Sequence, residues 1–448
     1  MKYAVVLLIG LIALIGRFYA DATAAGQASS RPARTGLVRA DGRAVADAGG
    51  AFNALGATMF WGAWAYKFDP ARLQRNLEAL RAGGFDYVRV LGSVGGTGWE
   101  DRQTDPRWSD YDAIIAGMTD LAYDKYGLRV QWTIFGGAPF TPSGTARESL
   151  VDRFASMARG REHKIFAFEI ANEAWQNGFR GVEGVAELRS LGRRLNDKTT
   201  VLVALSSPSN GAACATYAGS GADAITIHYN RTFGNDPGTG PTGIENGPLR
   251  PLMRPWSFPA AYDRACRGQL PPIVFNNEPI GPESSVRQEE APSRIAAAYV
   301  MTFLAGNAAY VFHSGPGIRG GGAADVAPTL RRHANFDELG SFKSISIALD
   351  GAKAYLPSGL ANWSRHDPNA ADAPIHGYEQ LYSASKGSDF VALVASATKP
   401  VTLRARVNAS IDVRHAATGR LITHVDASSG ESFTLSTDDA VVLLSRSR

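Results

Sequence analysis

Short continuous apolar runs recur along the chain at 54–61, 87–91, 128–135, 164–171, 200–205, 224–229, 272–275 and 309–313. Runs of this length, rich in Val, Ile and Phe, read as strands covered on both faces, as in a parallel sheet. Between them the apolar residues change to helical spacing. Leu73, Leu77 and Leu80 follow Asp69-Pro70, a helix start with proline in its first turn, and Gly83-Gly84 ends that helix. Further helices are expected over 111–125, 146–159, 182–195, 294–304 and 336–355, with a short one around Tyr262 and Cys266. Strand and helix thus alternate about eight times over roughly 300 residues, which fits a closed (β/α)8 barrel of the α/β class better than an open sheet.

The flanks have a different texture. Asp41-Gly42 and Ala48-Gly49-Gly50 predict two small hairpins ahead of the first barrel strand. Residues 25–35, made of Ala, Gly, Ser, Arg and Pro, read as a flexible linker. Residues 1–24 carry an apolar run from Ala4 to Gly16 and a small-residue site at Ala22-Thr23-Ala24, the pattern of a secretory signal peptide. Arg17 interrupts that pattern, so an uncleaved anchor is the alternative, although the run is short for a membrane span. Beyond the barrel, placed at 36–360, short strands at 390–394, 401–403, 411–413 and 440–444 are separated by Gly, Ser, Asn and Asp. They predict a small β-sandwich over 375–448. No Gly/Ser/Pro linker precedes it, so it reads as a packing partner of the barrel.

Composition narrows the function. A net charge of +4 on 448 residues, without basic clusters interleaved with aromatics, argues against a nucleic-acid partner. No Gly-x-Gly-x-x-Gly follows a first strand, no Walker lysine motif occurs, and there is no Cys-x-x-Cys metal spacing. No metal or organic cofactor is therefore expected. The two cysteines, Cys214 and Cys266, can form a bridge or remain buried thiols, and their sequence leaves both open.

Two of the apolar runs end in an amide beside a carboxylate: Glu169-Ile170-Ala171-Asn172-Glu173-Ala174-Trp175 and Phe275-Asn276-Asn277-Glu278-Pro279. A carboxylate at the end of a buried strand is costly unless it has a partner or a task. In a parallel barrel that end is where sites are built. Two such groups, with environments that separate their acidities, supply the proton and the negative charge that cleavage of a glycosidic bond needs.

On these residues, and over about 36–355, the chain resembles the clan-A retaining glycoside hydrolases of the broad cellulase and mannanase type. The resemblance implies an acid/base Glu after Asn at the end of strand four, here Glu173, and a nucleophilic Glu ending strand seven, here Glu278. It also implies Asn172 at the sugar 2-hydroxyl, Arg89 beside the nucleophile, and His228 in the site. The family's His-x-Tyr stands here as His228-Tyr229-Asn230, which moves Tyr229 one place out of register. Ala174 replaces a common proline, Phe312-His313 replaces a sugar-stacking tryptophan and makes His313 a substrate-binding candidate, and no histidine follows strand three.

Of the tryptophans near predicted loop ends (Trp61, Trp64, Trp99, Trp132, Trp175 and Trp256), Trp175 and Trp64 are the expected sugar platforms. Glu169 is expected as a structural partner inside the barrel, Glu283, Glu289 and Glu290 as solvated charge, and the loop 230–259 as a wall of the cleft. The expected protein is a secreted or periplasmic retaining β-glycosidase. It would act as a monomer on a polysaccharide or oligosaccharide, with no membrane insertion beyond the signal segment. A glycan-binding barrel without turnover and a transglycosylase of exopolysaccharide metabolism are the alternatives.

Overall fold

Three short antiparallel strands, β1 (Arg39–Asp41), β2 (Ala44–Asp47) and β3 (Gly50–Phe52), form a meander whose first turn passes through Gly42 at a φ of 62°. In this computed structural model the described residues are 32–96, 98–207, 213–228, 266, 268–277, 280–284, 288–320, 333–395, 399–437 and 439–446. The signal segment, most of the linker, Tyr229, the loop 230–259 with Trp256, the helix around Tyr262, and Glu278 lie outside them.

The meander plugs one end of a closed barrel of eight parallel strands in chain order. These are β4 (Ala54–Thr58), β5 (Tyr87–Ser93), β6 (Arg129–Phe135), β7 (Ile165–Ala171), β8 (Val203–Ala204), β9 (Ala224–His228), β10 (Ile273–Asn277) and β11 (Ala309–Phe312). All eight expected barrel strands are present. The first ends at Thr58, because Met59 and Phe60 turn to bond Arg89 and Gly317 backbone oxygens and a helix follows.

Outside the barrel stand α1 (Gly62–Phe68), α2 (Pro70–Ala82), α3 (Tyr111–Asp120), α4 (Gly144–Ala158), α5 (Gly181–Asn196), α6 (Ala213–Tyr217), α7 (Pro292–Leu304), α8 (Gly315–Ile318) and α9 (Phe342–Tyr355). The helix expected over 111–125 changes to a π-helical turn at Leu121–Lys125. The one expected over 336–355 is a separate 3-10 turn, Phe336–Glu338, capped by Asn335 and Glu338, followed by α9. Cys214 on α6 is bridged to Cys266.

Alternation along each strand sorts the barrel residues. Val88, Val90, Val130, Trp132, Ile134, Ile170 and Phe312 face the helices and share one apolar core with them. The inward residues build layers, ordered by the strand register. The lower layers are mostly apolar: Tyr87 stacks on Phe166 with centroids 3.8 Å apart. Gly56 makes room for that ring, since a Cβ there would lie 2.3 Å from it. Higher up the inward residues are polar: Arg89, Glu169 and Thr226, then Thr58, Thr133, Ser206 and Asn277. The interior thus has an apolar floor and a polar upper half, at the end where the strands finish.

After the barrel come β12 (Ser364–His366), β13 (Ile375–His376), β14 (Leu381–Lys386), β15 (Asp389–Val394), β16 (Val401–Ala405), β17 (Ala409–His415), β18 (Leu421–Ala427), β19 (Ser432–Leu435) and β20 (Val441–Arg446). They form a six-stranded sheet, β12-β14-β15-β20-β17-β18, and a three-stranded one, β13-β16-β19. Phe390, Ala392, Ile411, Val413 and Leu443 on one face of the larger sheet pack against Val401, Leu403 and Leu435 of the smaller. The opposite face, with Tyr382, Val391, Leu393 and Val442, joins the apolar core of the barrel's helical shell.

Candidate functional site

At the end of β7 the chain turns sharply, and Glu173 takes a φ of 38°, the left-handed region that residues with a Cβ seldom enter. Such a conformation costs about 1–3 kcal/mol and persists only where the surroundings impose it. Here they do. The Asn172 amide bonds the Phe135 oxygen at 2.9 Å, the Ala174 amide bonds Ser206 Oγ at 2.8 Å, and the Gln176 amide bonds the Glu173 oxygen at 2.8 Å. Asn177 donates from its side chain to the Asn172 oxygen. Ser206 is itself fixed by Tyr217 on α6, whose hydroxyl donates to its carbonyl at 2.6 Å and accepts from its amide at 3.0 Å. Burial pushes that phenol up to about 12, so it stays a donor.

The Glu173 side chain is 22% exposed. Its Oε2 accepts a hydrogen bond from Gln176 Nε2 at 2.7 Å, and Oε1 lies 3.5 Å from His228 Nδ1. His228, the last residue of β9, is held by its amide to Ser207 Oγ at 2.8 Å. Its other ring nitrogen, Nε2, lies 3.4 Å from Arg89 Nη2.

Arg89 occupies the middle of the cluster and is fully buried. Its Nε and Nη2 donate to Glu169 Oε2 at 3.1 and 2.8 Å, and Thr133 Oγ1 donates to the same oxygen at 2.6 Å. Nη2 also donates to Asn172 Oδ1 at 2.9 Å. A guanidinium only donates, so the Asn172 amide must present its oxygen to Arg89 and keep its Nδ2 hydrogens for another acceptor. The guanidinium carbon sits 5.1 Å from the centre of the Phe60 ring. Phe60 is also edge-on to His313, at 6.0 Å between ring centres. His313 is buried, with Nδ1 2.9 Å from Thr58 Oγ1.

On β10, alternation turns Asn276 outward, where it donates to Thr302 Oγ1 of α7 at 2.8 Å, and turns Asn277 inward. Asn277 is fully buried, and neither its Oδ1 nor its Nδ2 has a hydrogen-bond partner among the described residues. Glu278 is the next residue.

Of the expected site residues, the fold therefore gathers Arg89, Asn172 and His228 in one hydrogen-bonded cluster, places the Glu173 carboxylate 3.5 Å from His228 Nδ1, and sets His313 beside them through Phe60. Glu278 and Tyr229 lie outside the described residues. Trp175 is 45% exposed on the turn after Glu173. Trp64 is elsewhere: α1 takes over where strand one was expected to continue, and it places Trp64 against the helical shell, 6.1 Å from Phe68 and 5.6 Å from Arg102. Trp61 and Trp132 are core residues, and Trp99 packs on Phe60, Leu91 and Ile318. Glu283 is not solvated charge. A left-handed turn, φ 54°, buries it against His333, whose Nδ1 is 2.7 Å away. Gln176, Ser206 and Tyr217 carry no motif, and their roles follow only from the turn they hold.

No family model matches the chain, and no curated protein matches it. Solved structures do. One, described as a glycoside hydrolase, gives a TM-score of 0.64 at 14% identity, covering 92% of this chain and 96% of its own. A glycoside hydrolase family 5 protein from Bacteroides vulgatus gives 0.65 at 14% identity, covering 92% and 93%. At this identity the likeness is one of fold, and its extent takes in the C-terminal sheets as well as the barrel.

Proposed function

We propose that the protein is an exported retaining β-glycosidase acting on a polysaccharide or oligosaccharide, with Glu173 as acid/base and Glu278 as nucleophile. One observation carries the reading. A strained Glu173 stands at the carboxyl end of the fourth barrel strand, within a buried Arg89–Asn172–His228 cluster, and the seventh strand stops one residue before a second glutamate.

In the first step Glu173 gives its proton to the glycosidic oxygen while the Glu278 carboxylate attacks the anomeric carbon. The bond to the leaving sugar breaks, and a glycosyl ester on Glu278 forms. In the second step Glu173 takes a proton from water, whose oxygen attacks the same carbon, and Glu278 leaves as a carboxylate. The chemistry needs neither metal nor organic cofactor. Asn172, with its oxygen engaged by Arg89, has its NH2 group to offer the sugar 2-hydroxyl, a contact that strengthens at the transition state. Trp175, exposed beside Glu173, suits the apolar face of a sugar ring. The Cys214–Cys266 bridge fits an oxidising compartment, in agreement with export.

Mass spectrometry of products from a panel of β-linked glycans tests this, with wild type and Glu278→Ala run side by side. Release of sugars by wild type alone is the expected result. Equal release by both proteins removes Glu278 from the mechanism, and silence of wild type across the panel removes the activity.

A further inference from the structure

The thinnest seam of the barrel lies between β8 and β9. Among the described residues they pair at a single position, Ala204 with Ala224, whereas β9 and β10 pair along their whole length from Ile273 to Asn277. Above Ala204 the seam is closed by side-chain oxygens in place of a backbone ladder. The Tyr217 hydroxyl donates to the Ser206 carbonyl at 2.6 Å and accepts from the Ser206 amide at 3.0 Å. It also accepts from the Thr226 amide of β9 at 3.3 Å. Further up, the His228 amide donates to Ser207 Oγ at 2.8 Å. A phenol has one hydrogen and two lone pairs, so backbone groups fill every bonding position of the Tyr217 hydroxyl. Nothing of it is left for a ligand.

Ser206 carries this hold across to the next strand end. Its Oγ donates to the Ser207 carbonyl at 3.4 Å and accepts from the Ala174 amide at 2.8 Å. The peptide after Glu173 is thereby tied down, and the Asn172 amide, bonded to the Phe135 oxygen, ties the chain before it. Ser206, Ala174 and Tyr217 are all buried, so no water replaces these bonds at low cost. A residue with a Cβ keeps a φ of 38° only while its flanking peptides are held. The hold on Ser206 is itself a single group, because its amide and its carbonyl both end on the one phenol.

We infer that Tyr217 is a positioning residue: through Ser206 its hydroxyl imposes the left-handed backbone of Glu173 and so sets where that carboxyl stands. The consequence for rate rests on the reading of Glu173 as acid/base, but the hold on the backbone does not. Loss of the hydroxyl strips one bond each from the Ser206 amide, the Ser206 carbonyl and the Thr226 amide. The end of β8 then shifts, the Ala174 amide is released, and Glu173 relaxes toward negative φ.

The test is a double-substitution cycle on the full-length protein, read as the midpoint of denaturant unfolding. Tyr217→Phe keeps the ring and removes only the hydroxyl, and Glu173→Gly accepts a positive φ freely. Glu173→Gly is expected to raise the midpoint in the wild-type background. In the Tyr217→Phe background that gain should vanish, because Glu173 has already relaxed. A hydroxyl that only stabilised the barrel would lower the midpoint and leave the glycine gain intact, and that result overturns the inference. Absence of the gain in wild type overturns it too. Should Tyr217→Phe not fold, the same cycle with Ser206→Ala, which cuts only the bond to Ala174, decides by the same two outcomes.

Rates supply the second arm. With the sugar identified from the glycan panel, Tyr217→Phe is expected to lower kcat on the order of tenfold to a hundredfold, with KM little changed. A dinitrophenyl glycoside of the same sugar has a leaving group that needs no proton, so its kcat/KM should stay within about threefold of wild type. Equal losses on both substrates overturn the link to the acid/base group. A wild type silent on every glycan sinks the glycosidase reading and leaves the unfolding cycle to judge this one.

Discussion

At the plugged floor of the barrel Arg129 meets Asp47; toward the open end Arg89 meets Glu169. Both pairs are buried, with side-chain exposures of 2% and 0% at the floor and 0% and 0% above. Their hydrogen bonding differs. Asp47 Oδ1 accepts from Arg34 and from the Gly49 amide, and Oδ2 accepts from Arg34 and Arg129. Arg129 spends its remaining donors on the backbone oxygens of His163 and Gly36. Arg129 thereby ties the backbone at Gly36 to the backbone at His163. Among the described residues, Glu169 leaves one oxygen without a hydrogen-bond partner, and Arg89 reaches the side chains of Asn172 and His228. Gln131, Thr226 and Asn277, inward residues of the same upper half, also have buried polar atoms without a hydrogen-bond partner among the described residues. Saturation distinguishes the pair at the floor from the less completely satisfied pair beside the candidate site.

The largest expected effect comes from the upper end. Glu173→Ala should lower kcat by about a thousandfold or more, since general acid–base help is worth roughly 10²–10⁴. The same position separates function from stability. Glu173→Gly should abolish activity yet raise stability by about 1 kcal/mol, because glycine takes the left-handed φ without strain. Chemical denaturation beside a rate assay checks both.

At the floor the expected signs reverse. Asp47→Ala should leave Arg129 buried and unpaired and cost about 3–5 kcal/mol of stability, as broken buried pairs do, with kcat per folded molecule unchanged. Burial alone would raise the Asp47 carboxyl, but the hydrogen bonds of Arg34 and Gly49 and the charges of Arg34 and Arg129 hold it below its ordinary 3.8. A depressed carboxyl contributes stability that is present above the unfolded value and lost as pH falls through the folded one. The gap between wild type and Asp47→Ala, followed by denaturant titration, should therefore narrow only as pH falls below about 4.

The Cys214–Cys266 bridge lies between these cases. Cys214 shares α6 with Tyr217, and Tyr217 holds Ser206 under the Glu173 turn. Replacing both cysteines by serine should cost about 2–4 kcal/mol of stability, with a further fall in rate that outlasts refolding. Thermal melts and rates at a temperature where both proteins are folded separate the two parts. The smallest effect belongs to Trp175→Ala. The ring is exposed, so stability should stay within about 0.5 kcal/mol while KM rises several-fold.

The periodic parts of this chain were legible because they follow from burial. Eight buried strands and their helices announce themselves as apolar runs and 3.6-residue spacing, and the (β/α)8 barrel with its C-terminal sheets follows from their order. Asn172, Glu173, Arg89 and His228 were legible for a related reason: polar residues at the ends of buried strands stand out against their surroundings. Contacts made through turns were not. Trp64 was misplaced because nothing in Met59-Phe60-Trp61 signals that α1 begins there, and Glu283 looked solvated because His333, its partner, is distant in sequence. The Glu169–Arg89 grip spans 80 residues, and no local pattern records that Arg89 pairs with Glu169.

The most direct test of the two-carboxylate account is a search for the covalent intermediate. Protein incubated with a 2-deoxy-2-fluoro glycoside of the sugar released from the panel would be digested and its peptides sequenced by mass spectrometry. The account predicts one glycosyl group per chain on Glu278, accumulated in wild type and absent from Glu278→Ala. A label on Glu173 or Glu169, or turnover of the parent glycan with inversion and no labelled peptide, would contradict it.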